Sequence, residues 1–104
     1  MSTDAAIEVA DNPADGRFEI TVDDQLAGFV VYRDQGGTRE LVHTEIDPSF
    51  EGQGLGGRLA AGVFELLRER GEEIIPVCPF ITSYIRKHPE YADVVVPAMR
   101  RRFG

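Results

Sequence analysis

Glycines cluster in the string Gly52-Gln53-Gly54-Leu55-Gly56-Gly57, which directly precedes an amphipathic segment. No Ser, Thr or Asp stands among them, so the first N–H groups of a helix starting here would lack a side-chain cap. Glycines let a bulky anion approach the backbone closely, and the helix dipole favours negative charge at this end. The string therefore predicts a phosphate-binding helix start. The alternative is a tight turn whose glycines only allow close packing.

The neighbouring residues narrow the kind of phosphate ligand. The string also fits G-x-G-x-x-G through Gly52, Gly54 and Gly57, the dinucleotide fingerprint. That fingerprint belongs after the first strand of a doubly wound parallel sheet, whereas four strand-like segments joined by turns come first here. A P-loop is excluded because Arg58-Leu59 stands where Lys-Ser/Thr is required.

Cys78 and His43 are the two candidate catalytic side chains. Cys78 precedes Pro79, a preferred first helical residue, so we expect the thiol at a helix N-cap, where the dipole stabilises a thiolate. The alternative is a small buried apolar side chain. His43 is expected to share a strand face with Leu41 and Glu45 and to accept a proton from an ammonium group or from Cys78. The alternative is a histidine hydrogen-bonded within the sheet.

Hydrophobic periodicity predicts the elements that position these residues. Strands are expected at residues 7–10, 17–22, 25–33 and 40–46, separated by hairpin-like turns. A helix is expected at 54–70 with Gly71 after its end, then a buried strand at 73–77 and a helix from Cys78-Pro79 to His88-Pro89. A last edge strand is expected at 93–96.

This order, ββββ-α-β-α, predicts an α+β fold with a mixed sheet of about five strands. A right-handed crossover through the first helix would set the fifth strand parallel to the fourth. We expect one domain over residues 1–104, with about six flexible residues at each end.

Composition and charge exclude several classes of function. The net charge is −7, with a balance of −9 over residues 1–53 and +2 over residues 54–104. A polyanion such as DNA would be repelled by the first half, so no nucleic-acid partner is expected. No apolar run is long enough to predict a membrane span, and no Cys/His cluster predicts a metal site. The single cysteine suits a reducing cytoplasm, and the acidic start of the chain is unlike a secretory signal.

The glycine string also resembles a known cofactor motif. Glu51-Gly52-Gln53-Gly54-Leu55-Gly56 is similar to the Q/R-x-x-G-x-G/A motif of the GNAT superfamily of N-acetyltransferases. With the stretches 43–45, 75–80 and 88–91, the chain looks like a compact subgroup of that superfamily over residues 17–95. Glu51 departs from the motif, because most members carry Gln or Arg there. A carboxylate cannot favour a diphosphate, so we expect its side chain to point away, as a helix cap.

The resemblance implies the contacts of coenzyme A. Its pyrophosphate would be held by the N–H groups of Gln53, Gly54, Leu55, Gly56 and Gly57. Its pantetheine arm would lie between splayed fourth and fifth strands, where the backbone near Glu45 and Ile46 would polarise the thioester carbonyl. The resemblance also supports Cys78 and His43 as the catalytic pair.

The function expected is acyl-CoA-dependent N-acyl transfer, from acetyl-CoA to a primary amine such as a protein lysine or a small amine. The acidic first half suits a cationic acceptor. One alternative is a module that binds acyl-CoA without turning it over, and another is a redox or scaffold protein. Tyr84 and Tyr91 are secondary candidates as proton donors, and Arg86 and Lys87 as phosphate contacts.

Overall fold

Five strands form one mixed sheet in the order β1-β2-β3-β4-β5. The computed structural model describes residues 6–103. Neighbours from β1 to β4 are antiparallel, and β5 is parallel to β4. The predicted α+β fold and its parallel strand pair are therefore confirmed. The elements are β1 (Ile7–Asn12), β2 (Arg17–Val22), β3 (Gln25–Gln35), β4 (Thr38–Ile46), α1 (Leu55–Arg70), β5 (Ile74–Pro76) and α2 (Pro79–Lys87).

The C-terminal region differs from the prediction. The expected edge strand at 93–96 is wrong, because Pro89–Val94 and Pro97–Arg102 are 3-10 helices, each with proline in its first turn. Only Val95 bridges to a strand, at Ile74. Phe103 is buried against the core. We also expected about six flexible residues at each end of the chain. Of these, residues 1–5 and 104 lie outside the described residues.

Two-residue turns join β2 to β3 and β3 to β4. Asp23 and Asp24 have φ values of 49° and 68°, and Gly36 and Gly37 have φ values of 57° and 90°. Positive φ at both central residues is the geometry of tight hairpins whose twist matches that of the strands. These turns hold β2, β3 and β4 in sequence order across the sheet.

Helix α1 lies across one face of the sheet and contributes six buried side chains to the core. Its buried side chains face those of β2, β3 and β4, and Gly62 packs against Val9 so closely that an added Cβ would lie 2.6 Å from that valine. At its end the Gly71 and Glu72 N–H groups donate to Arg68 and Leu67 carbonyls in a Schellman motif, as Gly71 predicts. The buried residues shared between helix and sheet include Phe18, Ile20, Val30, Leu41, Leu59, Val63 and Phe64.

The opposite face of the sheet, called the open face below, has no helix packed on it within residues 6–103. Helix α2 contacts α1 directly, through the Phe64 and Tyr84 rings, so both helices lie on the same side. None of the open-face side chains of β2, or of the paired residues opposite them in β3 and β4, is fully buried. These residues are Arg17, Glu19, Thr21, Phe29, Val31, His43 and Glu45.

Strand β4 contains an extra residue at Val42. His43 pairs with Val31, but Leu41 pairs with Tyr32, so Val42 has no partner in β3. Such a bulge bends the strand and increases its twist. It also corrects one expectation: His43 and Leu41 do not share a face, because the bulge sets Leu41 with the core and leaves His43 on the open face.

The Asp11 carboxylate, whose side chain is 8% exposed, joins β1, β3, β4 and α1 at the end of the sheet where β4 begins. Asp11 accepts hydrogen bonds from Tyr32 at 2.7 Å, Arg39 at 3.1 Å and Arg70 at 2.8 Å. Burial alone would raise the pKa of Asp11, but the hydrogen bonds from Arg70, Tyr32 and Arg39 outweigh it and hold that pKa below 3.8. The same burial and the Asp11 charge raise the pKa of Tyr32 to about 12.

Across residues 6–103, no helix is both long and apolar enough to cross a bilayer.

Candidate functional site

A gap opens between β4 and β5 where their pairing ends. The last parallel pair is Leu41 with Pro76. The Leu41 carbonyl then accepts from both Val77 N at 3.0 Å and Cys78 N at 2.8 Å, which turns the chain away from β4. Strand β4 continues to Ile46 with no described strand on that side. The bulge at Val42 begins at this point, so the bend that it causes contributes to the splay.

Backbone polar groups of β4 point into this gap. Asp47 N donates to Ala27 O at 2.7 Å, which makes Gly28 and Ile46 a non-hydrogen-bonded pair. Because hydrogen-bonded and non-hydrogen-bonded pairs alternate along an antiparallel ladder, the N–H and C=O groups of Thr44 and Ile46 point away from β3. The gap therefore presents fixed N–H donors at its β4 side.

The start of α1 leaves its first N–H groups free. Gly54 is the N-cap, with φ 71° and no side-chain cap, and Gly52 has φ 81°. The first intrahelical bond runs from Arg58 N to Gly54 O at 3.3 Å. Among the described residues, the N–H groups of positions 55–57 have no hydrogen-bond partner. Three free donors at the positive end of a helix dipole fit a diphosphate.

Glu51 does not cap this helix, so that expectation is wrong. Its backbone N–H donates to Pro48 O at 3.3 Å, which closes the 3-10 turn Pro48–Phe50. The N-cap position falls three residues later, because Gly52 and Gly54 in left-handed conformations turn the chain before α1 begins. Glu51 instead lines a hollow formed by the start of β3 and the end of β4.

Two exposed apolar side chains flank Cys78-Pro79 and were not predicted as site residues. Phe80 is 40% exposed, and its ring lies 3.1 Å from where a Cβ on Gly56 would be. Val77 is 49% exposed and directly precedes Cys78. Their position around Cys78-Pro79 was the only sequence signal available. The Phe80 ring covers the helix start beside Gly56, and Val77 lies at the inner end of the gap, where its N–H bonds to Leu41 O.

Cys78 lies at the inner end of the gap and is the N-cap of α2, as predicted. It is 4% exposed, and its Sγ lies 3.3 Å from Thr44 Oγ1, across the gap from β5 to β4. The side chain makes no cap hydrogen bond to α2. Its thiol is therefore held on the helix side of the sheet.

His43 lies on the open face, on the other side of β4 from Cys78. Its side chain is 59% exposed, and its Nε2 lies 3.8 Å from Glu45 Oε1. Thr44, which contacts Cys78, is the next residue and points to the opposite face. The structure thus sets the two predicted catalytic residues around one strand without bringing their side chains together.

The secondary candidates belong to α2 and to the 3-10 helix that follows it. Tyr84 and Tyr91 stack on Phe64, with ring centroids 6.0 and 5.0 Å from it, in the core arrangement that was the alternative for them. Burial raises the pKa of Tyr84 and of Tyr91, which makes both phenols weaker proton donors. Arg86 and Lys87 are exposed in the last turn of α2.

A hollow of about 460 Å³ lies where β3 begins and β4 ends. It is lined by residues 26–29, residues 45–48 and Glu51. We call it the acidic hollow, because Glu45, Asp47 and Glu51 are its only ionisable lining residues. The sequence analysis did not predict it, since it combines three separate segments of the chain.

Comparisons with known proteins agree with this geometry. A family model described as GCN5-related N-acetyl-transferase matches residues 17–94. A similar solved structure is the NMR solution structure of a GCN5-like protein from Staphylococcus aureus. It is 27% identical, with a TM-score of 0.63, and the match covers 86% of this chain and 87% of that one. No curated protein sequence matches the chain significantly.

Proposed function

The chain belongs to the GCN5-related N-acetyltransferases, enzymes that transfer acyl groups, and we propose that this member transfers an acetyl group from acetyl-CoA to a primary amine. The observation that carries the proposal is the gap between β4 and β5, which has free backbone donors at both of its borders. One set belongs to Thr44 and Ile46, and the other to positions 55–57 at the start of α1.

The start of α1 would hold the diphosphate of the donor. The N–H groups of residues 53–57 would donate to it. The backbone is open to close approach at Gly52 and Gly54, because nothing lies within 4 Å of where a Cβ on either would be, whereas the Phe80 ring already lies beside Gly56. Arg58 is exposed in the first turn of α1 and adds a positive charge there. The exposed Phe80 ring beside Gly56 offers an apolar contact for the pantetheine arm.

Acetyl-CoA, when bound, supplies the acetyl group as an activated thioester. The Ile46 N–H, fixed by the pairing of β4 with β3, would donate a hydrogen bond to the carbonyl oxygen and stabilise the charge that develops on it. His43 would accept the proton that the ammonium must lose before its nitrogen attacks. Its exposure on the open face, beside the carboxylate of Glu45, leaves it accessible to an incoming amine.

A route through an acyl-Cys78 enzyme is the second candidate, and one observation favours it. The Cys78 thiol lies at a helix N-terminus, at the inner end of the gap, and is not used to cap the helix. Direct attack by the amine is our first choice, because the thiol is 4% exposed and hydrogen-bonded to Thr44, and because His43 lies on the other face of β4.

Calorimetric titration with CoA and acetyl-CoA tests donor binding, and release of free thiol with a panel of amines tests transfer. We expect binding of both nucleotides and thiol release only when an amine is present. Binding without thiol release from any amine would identify a module that holds acyl-CoA without turnover. Absence of binding would overturn the proposal and leave the glycines with a packing role.

Intact-mass analysis under single-turnover conditions separates the two routes. With direct attack, the wild-type protein gains no acetyl mass from acetyl-CoA, and Cys78→Ala retains transfer activity. An acetyl adduct on the wild-type protein that is absent from Cys78→Ala would establish the covalent route instead. His43→Gln should lower kcat and change its pH profile while leaving the affinity for CoA unchanged.

A further inference from the structure

The acidic hollow lies at the edge of the sheet where β3 begins and β4 ends, and it reaches the open face. Three of its lining side chains, Leu26, Phe29 and Glu45, belong to that face by their strand pairing. Leu26 is 41% exposed, so the hollow has an accessible apolar wall. A volume of about 460 Å³ lies in the range of ordinary small-molecule sites. The hollow is therefore a concave site distinct from the start of α1.

The hollow shares a wall with the gap. Residues 45–47 border the hollow, and the middle residue of these, Ile46, directs its N–H into the gap. Only the end of β4 would separate a molecule in the hollow from a thioester in the gap. His43 lies on the same face, with its Nε2 3.8 Å from Oε1 of Glu45, which lines the hollow.

The charges on the hollow are negative only. Hydrogen bonds from the Ser49 hydroxyl and N–H, at 2.6 and 2.9 Å, lower the pKa of Asp47, which keeps this carboxylate ionised. The Glu51 side chain makes no ion pair or hydrogen bond with any described residue. Glu51 is also the residue that departs from the cofactor motif, and its position in the hollow gives it a use unrelated to the diphosphate.

We infer that the acidic hollow binds the acceptor, and that the acceptor is an aliphatic amine carrying a second positive charge. This inference rests on the proposed function. The apolar wall takes the methylene chain, and the carboxylates take the second cation while the reacting nitrogen is directed to the gap. A diamine and a lysine next to a basic residue share this chemistry.

Three acceptors with five carbon atoms each test the second charge: 1,5-diaminopentane, pentylamine and 5-aminopentanoate. They end in a positive, a neutral and a negative group. We expect KM for the diamine to be about fivefold or more below that for pentylamine, because each partly exposed carboxylate contributes a modest attraction. The preference should shrink in high salt, which screens exposed charges. An N-acetyl-Lys-Arg amide distinguishes a peptide lysine from a free diamine as the better acceptor.

Glu51→Gln should reduce the preference for the diamine about two- to fivefold. Glu69→Gln is the matched control, because Glu69 is exposed on α1, away from the hollow, and its change removes the same charge. Equal use of the three acceptors, or equal effects of the two substitutions, would overturn the inference while acetyl transfer itself stood.

Binding of 1,5-diaminopentane without CoA, followed by amide chemical shifts, gives a readout that does not depend on turnover. Shifts confined to residues 26–29 and 45–51 support the inference even if no acetyl transfer is found. Shifts elsewhere, or none at millimolar diamine, contradict it.

Discussion

Gly54→Ala tests the start of α1 as the diphosphate site. Gly54 has φ 71° and nothing within 4 Å of the position of an added Cβ, so the cost of alanine is conformational and not steric. A non-glycine residue in this region costs about 1–2 kcal/mol. For a domain of this size, each kcal/mol lowers Tm by about 4–8 °C.

Gly36→Ala is the matched control. Gly36 has φ 57° and is equally unobstructed, but it lies in the β3–β4 hairpin turn. Both substitutions should therefore destabilise the protein to a similar extent, which urea denaturation measures. Only Gly54→Ala relieves its strain by turning the N–H groups of the helix start away from the ligand.

CoA affinity separates the two variants. Loss of one hydrogen bond to a charged group costs about 1.5–3 kcal/mol, so Kd for CoA should rise about tenfold or more in Gly54→Ala and stay unchanged in Gly36→Ala. Pantetheine, which lacks the diphosphate, should bind both variants equally in calorimetry. The reasoning fails if Gly54→Ala loses the expected stability but binds CoA as tightly as Gly36→Ala does.

Three further substitutions test how the sheet positions the site. In Gly28→Ala the new Cβ would lie 2.6 Å from the Glu45 carbonyl oxygen, so β4 must shift. We expect about 1–3 kcal/mol of destabilisation in urea together with reduced acetyl transfer. Full activity would contradict the geometry of the gap. Gly62→Ala improves helix propensity by about 1 kcal/mol but is expected to destabilise the protein overall, because its Cβ would meet Val9 at 2.6 Å. Adding Val9→Gly, which removes the valine Cβ as well as both γ-methyl groups, should relieve the clash, and a double-mutant cycle without coupling would refute the contact. Asp11→Asn should cost about 2 kcal/mol near pH 7. The pKa of Asp11 is lowered in the folded protein, so its stabilisation is present above the ordinary value of 3.8 and is lost as pH falls through the folded value. The difference in stability between wild type and Asp11→Asn should therefore disappear in acid. A difference that does not depend on pH would contradict the assignment.

The sequence predicted the element order, because period-2 and period-3.6 patterns are local. It predicted the helix start at residues 52–57 and the N-cap at Cys78 for the same reason. The face of His43 was not predictable, since the bulge at Val42 depends on how β4 pairs with β3. The pattern at 93–96 resembles a strand, but Asp93 and Val94 end one 3-10 helix and Pro97 begins the next, so only Val95 bridges to Ile74.

The acidic hollow was outside the reach of sequence patterns. Its carboxylates come from β4, the residue after it and the segment before α1, and they approach Leu26 only because the Asp23-Asp24 turn and β4 end at the same side of the sheet. Net charge indicated a preference for cations over residues 1–53. The location of that preference required the three-dimensional arrangement.

Deleting Val42, the bulge residue of β4, would remove the gap between β4 and β5 without changing the rest of the fold. Leu41, Thr44 and Ile46 point inward and His43 and Glu45 outward, so a chain lacking Val42 would read as regular alternation from 41 to 46. Every side chain would keep its orientation, and the hydrophobic interior would lose nothing. The deletion would remove the bend in β4, so β4 could pair with the chain that follows β5 and the gap would close. Such a shortened chain would fold as the parent does and have no room for a thioester.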